Sequence, residues 1–242
     1  MICIGHRGAR GHVPENTLAS ILKAIELGAT CIEIDVRYVD GHLMVFHDYR
    51  LERLTDGEGY IADKNFDYLR SLSLSNGEKI PTLEEIYDAV DQRVGINIEL
   101  KGAGAAESIV NCIKQFRLQG WSDGLILVSS YNHRELARIR ELDQNIKIGV
   151  LFECLPIDDA AMAETLGAYS VHPSIGLVDQ RFVDDAHARN LKVYVYTVNE
   201  PDDIVKMKAL AVDGVFTDFP ERVLADITPT TTTSSDTNIG WL

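Results

Sequence analysis

Residues 29–36 read ATCIEIDV and residues 94–100 read VGINIEL. In each stretch apolar side chains alternate with polar ones, the period of a β-strand whose successive side chains point to opposite faces. In the first, Ile32, Ile34 and Val36 share one face and Glu33 and Asp35 the other. In the second, Ile96, Ile98 and Leu100 oppose Asn97, Glu99 and Lys101. A carboxylate facing a protein interior is costly unless something positive sits beside it. The rest of the sequence has to supply that positive partner.

Short apolar runs of the same kind recur at 2–5, 125–128, 146–150, 168–171, 192–198 and 213–217. Segments of helical periodicity lie between them, at 15–29, 82–90, 105–116, 133–142 and 179–190. Strands that alternate with helices imply a parallel sheet with helical crossovers. Eight such units in 242 residues fit an α/β fold of the closed (β/α)8 TIM-barrel type. An open doubly wound sheet alternates in the same way, but no GxGxxG follows the first strand, and the count of eight favours closure. The reading is one barrel domain over 1–227. A small insertion after the second strand, at about 48–81, carries a short helix around Phe66–Ser71 and caps one side of the mouth. Residues 228–238, TPTTTTSSDTN, predict a flexible polar tail within 228–242, and the final IGWL is apolar enough to dock.

Composition narrows the function. Hydrophobic content of 45% and charged content of 25% suit a soluble globular chain. No run approaches the ~20 apolar residues of a membrane span, and MICIGHRGARGH lacks the basic-then-apolar pattern of a secretory signal. Cys3, Cys31, Cys112 and Cys154 show no CxxC or His–Cys clustering, so they read as buried thiols in a reducing compartment, and a cytoplasmic location is expected. A net charge of -14 argues against a nucleic-acid partner. An acidic chain can still handle a phosphate ester where a metal or a few placed cations invert the local field.

In a TIM barrel the functional residues sit at the C-terminal strand ends and in the loops that follow. That rule selects His6 and Arg7 after the first strand, Glu33, Asp35 and Arg37 on the second, and His47 and Asp48 after the return DGHLMVFHD. It also selects Glu99 and Lys101 on the third, the run from Ser129 to Asn132 after the fourth, and His172. Glu33, Asp35 and Glu99 converge from neighbouring strands, and three hard oxygen ligands suit Mg²⁺ or Ca²⁺ rather than zinc. A merely solvated polar face is the competing reading. His6 and His47 flank the acids and could act as general base and general acid across a phosphate. Arg7 and Lys101 would donate to phosphate oxygens, or pair with the same carboxylates. His12, His42, His133 and His187 read as surface or turn residues. His172 is expected at a strand end facing the mouth, either touching substrate or serving structure.

The stretch HRGARGHVPENTLASILKAIELGATCIEIDVRYVDGHLMVFHDYRLERLTDGEG, from His6 to Gly59, resembles the glycerophosphodiester phosphodiesterase family. The shared pattern is HRG, PENT, a Gly-Ala and E-x-D pair, a DG turn, HD and an L-x-R-x-T-x-G-x-G loop. It continues through IPTLEEI, NIELK, SSYN, VYTVN and DGVFTDFP and so covers about residues 2–225. The resemblance implies a TIM barrel and metal-dependent hydrolysis of a small-molecule glycerophosphodiester to glycerol 3-phosphate and an alcohol. It implies Glu33, Asp35 and Glu99 as metal ligands, His6 and His47 as the acid–base pair, and Arg7 and Lys101 as phosphate-contacting cations. Tyr196 stands where the family often has Trp and would reshape the wall that receives the glycerol or the alcohol. Leu54 stands where Thr is common. Two other readings are a lysophospholipase D-like phosphodiesterase on the same barrel and a catalytically silent binding barrel. Mg²⁺ against Ca²⁺, the alcohol, water against the glycerol 2-hydroxyl as nucleophile, and the oligomeric state stay open at this level.

Overall fold

The structure, a computed structural model, describes residues 1–225 together with Gly240 and Trp241. Its strands are β1 (Ile2–Gly5), β2 (Cys31–Val39), β3 (His42–Val45), β4 (Gly95–Leu100), β5 (Ile126–Ser130), β6 (Lys147–Phe152), β7 (Ser170–Pro173), β8 (Lys192–Val195) and β9 (Gly214–Thr217). All but β3 pair in parallel, and β1 bonds to both β2 and β9, so eight strands close into a barrel without an edge. β3 folds back antiparallel on β2 outside the ring. Asp40 and Gly41, with φ of 49° and 81°, make that tight turn, where Gly in the left-handed region costs least. The return was expected only as a connection; its antiparallel ladder to β2, with Leu43, Met44 and Val45 all buried, makes it a further strand.

The helices are α1 (Leu18–Glu26), α2 (Phe66–Ser71), α3 (Leu83–Val90), α4 (Ala106–Leu118), α5 (His133–Leu142), α6 (Ala161–Thr165), α7 (Gln180–Ala188), α8 (Pro201–Ala209) and α9 (Pro220–Ala225). All but α2 ring the barrel. Local chemistry sets their starts. Thr17 accepts from the Ser20 amide, Thr82 and Glu85 form a reciprocal capping box, and Asp179 accepts from the Phe182 amide. Each such cap contributes about 1 kcal/mol.

The alternation read from the sequence divides the molecule into two interiors. Ile32, Ile34, Val36, Ile96 and Ile98 point outward and pack, fully buried, with Ile21, Ile86, Ile109, Ile139 and Phe182 of the helices. The opposite face lines the barrel. Its lower end is apolar: Ile4, Cys31, Leu127, Tyr194 and Phe216 cluster there with Trp241. Trp241, 1% exposed, seals that end. Its amide donates to the Gly124 carbonyl at 2.9 Å, and its carbonyl accepts from Lys147 Nζ at 2.9 Å and the Tyr169 hydroxyl at 2.7 Å. Gly95 leaves room for this docking, since a Cβ there would lie 3.0 Å from Gly240 Cα. Of the IGWL segment, Gly240 and Trp241 thus dock; residues 228–238, Ile239 and Leu242 lie outside the described residues.

The insertion builds its own small core, in which Leu51, Ile61, Leu69, Leu72, Leu74 and Ile80 pack on Val39, Met44 and Phe46 of the β2–β3 hairpin and the chain leaving it. Its Glu78 accepts from the first-turn amides of Leu18 and Ala19 in α1, and Arg70 clamps Glu85 of α3. Among the described residues no helix is long and apolar enough to cross a membrane. All four cysteines are free; Cys3, Cys31 and Cys112 are buried, but Cys154 is exposed, because it follows β6 into a loop at the mouth rather than entering the core.

Candidate active site

The parallel register of β2 and β4 sets Glu33 beside Asn97 and Asp35 beside Glu99, all on the barrel-lining face near its C-terminal end. Ligand oxygens of Glu33, Asp35 and Glu99 lie within 4.8 Å of one another, and the three side chains are buried. Like charges so close and so far from water repel. Burial first, then Asp35 and Glu99, drive the Glu33 carboxyl well above the ordinary carboxylate range. Burial and the Asp35 charge lift Glu99 to about 7, against the pull of Lys101. Asp35 goes the other way: despite burial, Lys101 and Arg7 hold it below its ordinary value.

Each acid is oriented by its neighbours. Asn16 donates from Nδ2 to Asp35 Oδ2 at 2.8 Å and accepts the Asp35 amide at 3.2 Å. The Arg7 amide donates to Glu33 Oε2 at 2.9 Å, and Arg7 Nε lies 3.1 Å from Asp35 Oδ2. Both contacts require a tight turn after β1. Arg7 takes φ of 52° there, and at Gly8, φ 86°, a Cβ would lie 2.5 Å from the Ser20 backbone. Lys101 pairs with Glu99 and sits 3.2 Å from Asp35 Oδ1. Glu33 Oε1 and Asn97 Oδ1 are buried without a hydrogen-bond partner. Buried oxygens left bare beside two further carboxylates fit a hard divalent cation.

The two histidines stand in matched settings. His6 Nδ1 is 2.7 Å from Asp218 Oδ1, and His47 Nδ1 is 2.7 Å from Asp48 Oδ1. An ionised carboxylate only accepts, so Nδ1 carries the proton and Nε2 is the free nitrogen in each ring. Asp218 is held by Asn199, whose Nδ2 donates to Oδ2 at 2.9 Å and whose Oδ1 accepts the Asp218 amide. Asp48 is held by Arg53 of the insertion, through bonds of 2.5 and 2.8 Å. Burial lowers the pKa of both histidines below the ordinary value, the carboxylates opposing it.

A cavity of about 310 Å³ lies among these groups. His6, Arg7, Glu33, His47, Asn97, Glu99 and Lys101 line one side, and Tyr131, Leu151, Glu153 and Tyr196 the other. Tyr196 is fixed by donating to the Phe152 carbonyl at 2.7 Å and meets Tyr131 edge-on. His172 is not part of this wall. β7 runs on through His172, which therefore points into the barrel, fully buried, with Nε2 2.8 Å from Ser170 Oγ and its ring beside Tyr194 and Phe216. Burial drives its pKa down to about 3, and Gly149 is obligatory beside it, since a Cβ would lie 2.5 Å from Nε2.

Several site residues carried no role in the sequence reading: Glu15, Asn16, Arg53, Asn97, Asn199 and Asp218. Their signal was present as polar residues inside PENT, L-x-R-x-T, NIELK, TVN and DFP. Which carboxylate each would meet depends on contacts between segments up to 212 residues apart.

Residues 6–222 match the model of the glycerophosphoryl diester phosphodiesterase family. A glycerophosphodiester phosphodiesterase of Caldanaerobacter subterraneus subsp. tengcongensis is 33% identical over 237 residues, spanning 92% of this chain and 96% of that protein. One from Bacillus altitudinis is 34% identical over 236 residues, spanning 90% and 95%. The solved structure of an Oleispira antarctica phosphodiesterase in complex with the product sn-glycerol-3-phosphate superposes with a TM-score of 0.85 at 32% identity, covering 94% of this chain and 96% of that one.

Proposed function

The chain belongs to the glycerophosphodiester phosphodiesterase family, a family of phosphoric diester hydrolases, and on that premise we propose that it hydrolyses small glycerophosphodiesters to sn-glycerol 3-phosphate and an alcohol with a divalent cation held by Glu33, Asp35 and Glu99. Glycerophosphocholine and glycerophosphoethanolamine are the substrates to try first. One observation carries the reading: the ligand oxygens of three buried carboxylates lie within 4.8 Å of one another, and two of the three, Glu33 and Glu99, line a cavity with two histidines, each backed at Nδ1 by an aspartate.

The work of the chain's own residues follows from that geometry. Arg7 and Lys101 line the cavity and bring positive charge to the phosphate oxygens. One Nε2 takes the proton of the attacking hydroxyl while the other protonates the alkoxide as its bond to phosphorus breaks. Where the glycerol 2-hydroxyl rather than water attacks, the product is a cyclic phosphate, which water then opens with the two proton-transfer roles exchanged. Burial lowers the pKa of both rings and so favours their neutral form, in which Nδ1 carries the proton and Nε2 is free to accept one. Asp48 and Asp218 stabilise whichever ring is imidazolium. A Mg²⁺ or Ca²⁺ ion, when bound, supplies Lewis-acid polarisation of the phosphoryl group. Tyr131 and Tyr196 form the wall against which the glycerol or the alcohol rests. Free, mostly buried thiols fit a reducing compartment, and we place the enzyme in the cytoplasm.

The test is release of glycerol 3-phosphate from the two diesters by purified protein with EDTA, then with Mg²⁺ or Ca²⁺ restored. Metal-restored release is the expected result. Release that ignores EDTA removes the metal from the reading, and no release from either diester, with hydrolysis of lysophospholipids instead, replaces the substrate class.

A further inference from the structure

Arg53 belongs to the insertion, between Leu51 and Leu54, which pack in the insertion's own core. Its guanidinium is gripped on two sides. Nε and Nη2 donate to Asp48 Oδ2 and Oδ1 at 2.5 and 2.8 Å, and Nη1 and Nη2 donate to Glu15 Oε2 and Oε1 at 3.0 and 2.8 Å. Glu15, only 6% exposed, in turn accepts from Arg7 Nη1 at 2.6 Å. A continuous chain of charge-assisted bonds therefore runs from His47 through Asp48, Arg53 and Glu15 to Arg7.

We propose that Arg53 is a positioning residue for His47, and that through it the insertion is a working part of the active site. Asp48 Oδ1 serves both His47 Nδ1 and Arg53 Nη2 while Oδ2 accepts from Arg53 Nε, so the two-point Arg53 grip fixes which oxygen faces the imidazole. The other histidine needs no such charge. Its partner Asp218 is held by the neutral Asn199, and that pair is the more enclosed, with His6 13% exposed against 31% for His47. At the wetter site a neutral clamp would compete with water, whereas a bidentate guanidinium resists it. Lysine at the position cannot make both bonds to Asp48 and reach Glu15 in one geometry.

The inference rests on reading His47 as an acid–base residue, and its test separates the two. In Arg53→Met, the imidazole ¹⁵N spectrum of His47 at mildly alkaline pH should change from an Nδ1-protonated ring to an averaged mixture of tautomers. The kcat for glycerophosphodiester hydrolysis should fall roughly 10–100-fold with KM nearly unchanged, as for other residues that orient a site group. Added guanidinium should restore part of the loss, and Arg53→Lys should restore little. An unchanged His47 spectrum overturns the proposal whatever turnover does, as does a loss carried by KM alone. A spectral change in a protein that hydrolyses no glycerophosphodiester upholds the positioning role and overturns the substrate reading instead.

Discussion

The two ends of the barrel are built from the same eight strands and do opposite things. At the C-terminal end the lining positions are Glu33, Asn97 and Glu99, with Asp35 buried against them and His6, His47, Arg7 and Lys101 around an open cavity. At the N-terminal end Ile4, two residues before His6, and Cys31, two and four before Glu33 and Asp35, cluster with Leu127, Tyr194 and Phe216 and are closed by Trp241, Phe216 also reaching the cavity. His172 lies buried with its ring against Tyr194 and Phe216 of the apolar set. The contrast separates stability from chemistry along one axis. Burying like charges at the mouth costs folding free energy, and the apolar lower end and the helix-facing isoleucines offset that cost.

That contrast can be broken from either side. The largest effect is expected at the open end: His47→Ala or His6→Ala should lower kcat roughly 10²–10⁴-fold, read by steady-state release of glycerol 3-phosphate, with the thermal midpoint hardly moved. At the sealed end Trp241→Ala should do the reverse. Emptying so large a site costs about 3–5 kcal/mol of stability, read by denaturant unfolding, while kcat at a temperature where the protein stays folded should be unchanged. A large loss of activity in folded Trp241→Ala would join the two ends and end the separation.

Between those extremes, Asp218→Asn should keep the His6 contact but reverse its polarity. It should cut kcat roughly 10–100-fold and leave stability within about 1 kcal/mol. The smallest expected effect on activity belongs to His172, which does not line the cavity. The pKa of His172 in the folded chain, about 3, lies below its ordinary value of 6.5. Between these values the unfolded chain binds the extra proton, so stability present above pH 6.5 declines as pH falls towards 3, by up to about 1.4 kcal/mol per unit. His172→Gln should flatten that slope in thermal melts from pH 7 to 5, and an unchanged slope would place its origin in other groups.

His172 also shows where pattern reading stops. It was expected to face the mouth, because the apolar run was read as ending at Val171; the strand continues through Pro173, and two further residues of strand carry the side chain into the barrel. The opposite outcome holds for Glu33, Asp35 and Glu99. They sit in the middle of strong alternating runs, so their face was legible, and the parallel register of β2 and β4 put them level. Arg53 and Asp218 were invisible for a different reason. An arginine in a loop and an aspartate before a helix have many local explanations, and only the closure of the barrel brings Asp218 to His6.

The sequence by itself determined the eight-fold alternation, the barrel, the inward acids and the two mouth histidines, because periodicity of two and of 3.6 is a local property that side-chain pattern encodes directly. Only the tertiary structure decided which aspartate backs which histidine, that the insertion reaches the site through Arg53, and that Trp241 seals the far end. Asp48 is a sequence neighbour of His47 and lies near Arg53, but the Asp218–His6, Arg53–Glu15 and Trp241 contacts join segments distant in the chain, and those partners are selected by the closed geometry of the barrel rather than by anything a neighbouring residue records.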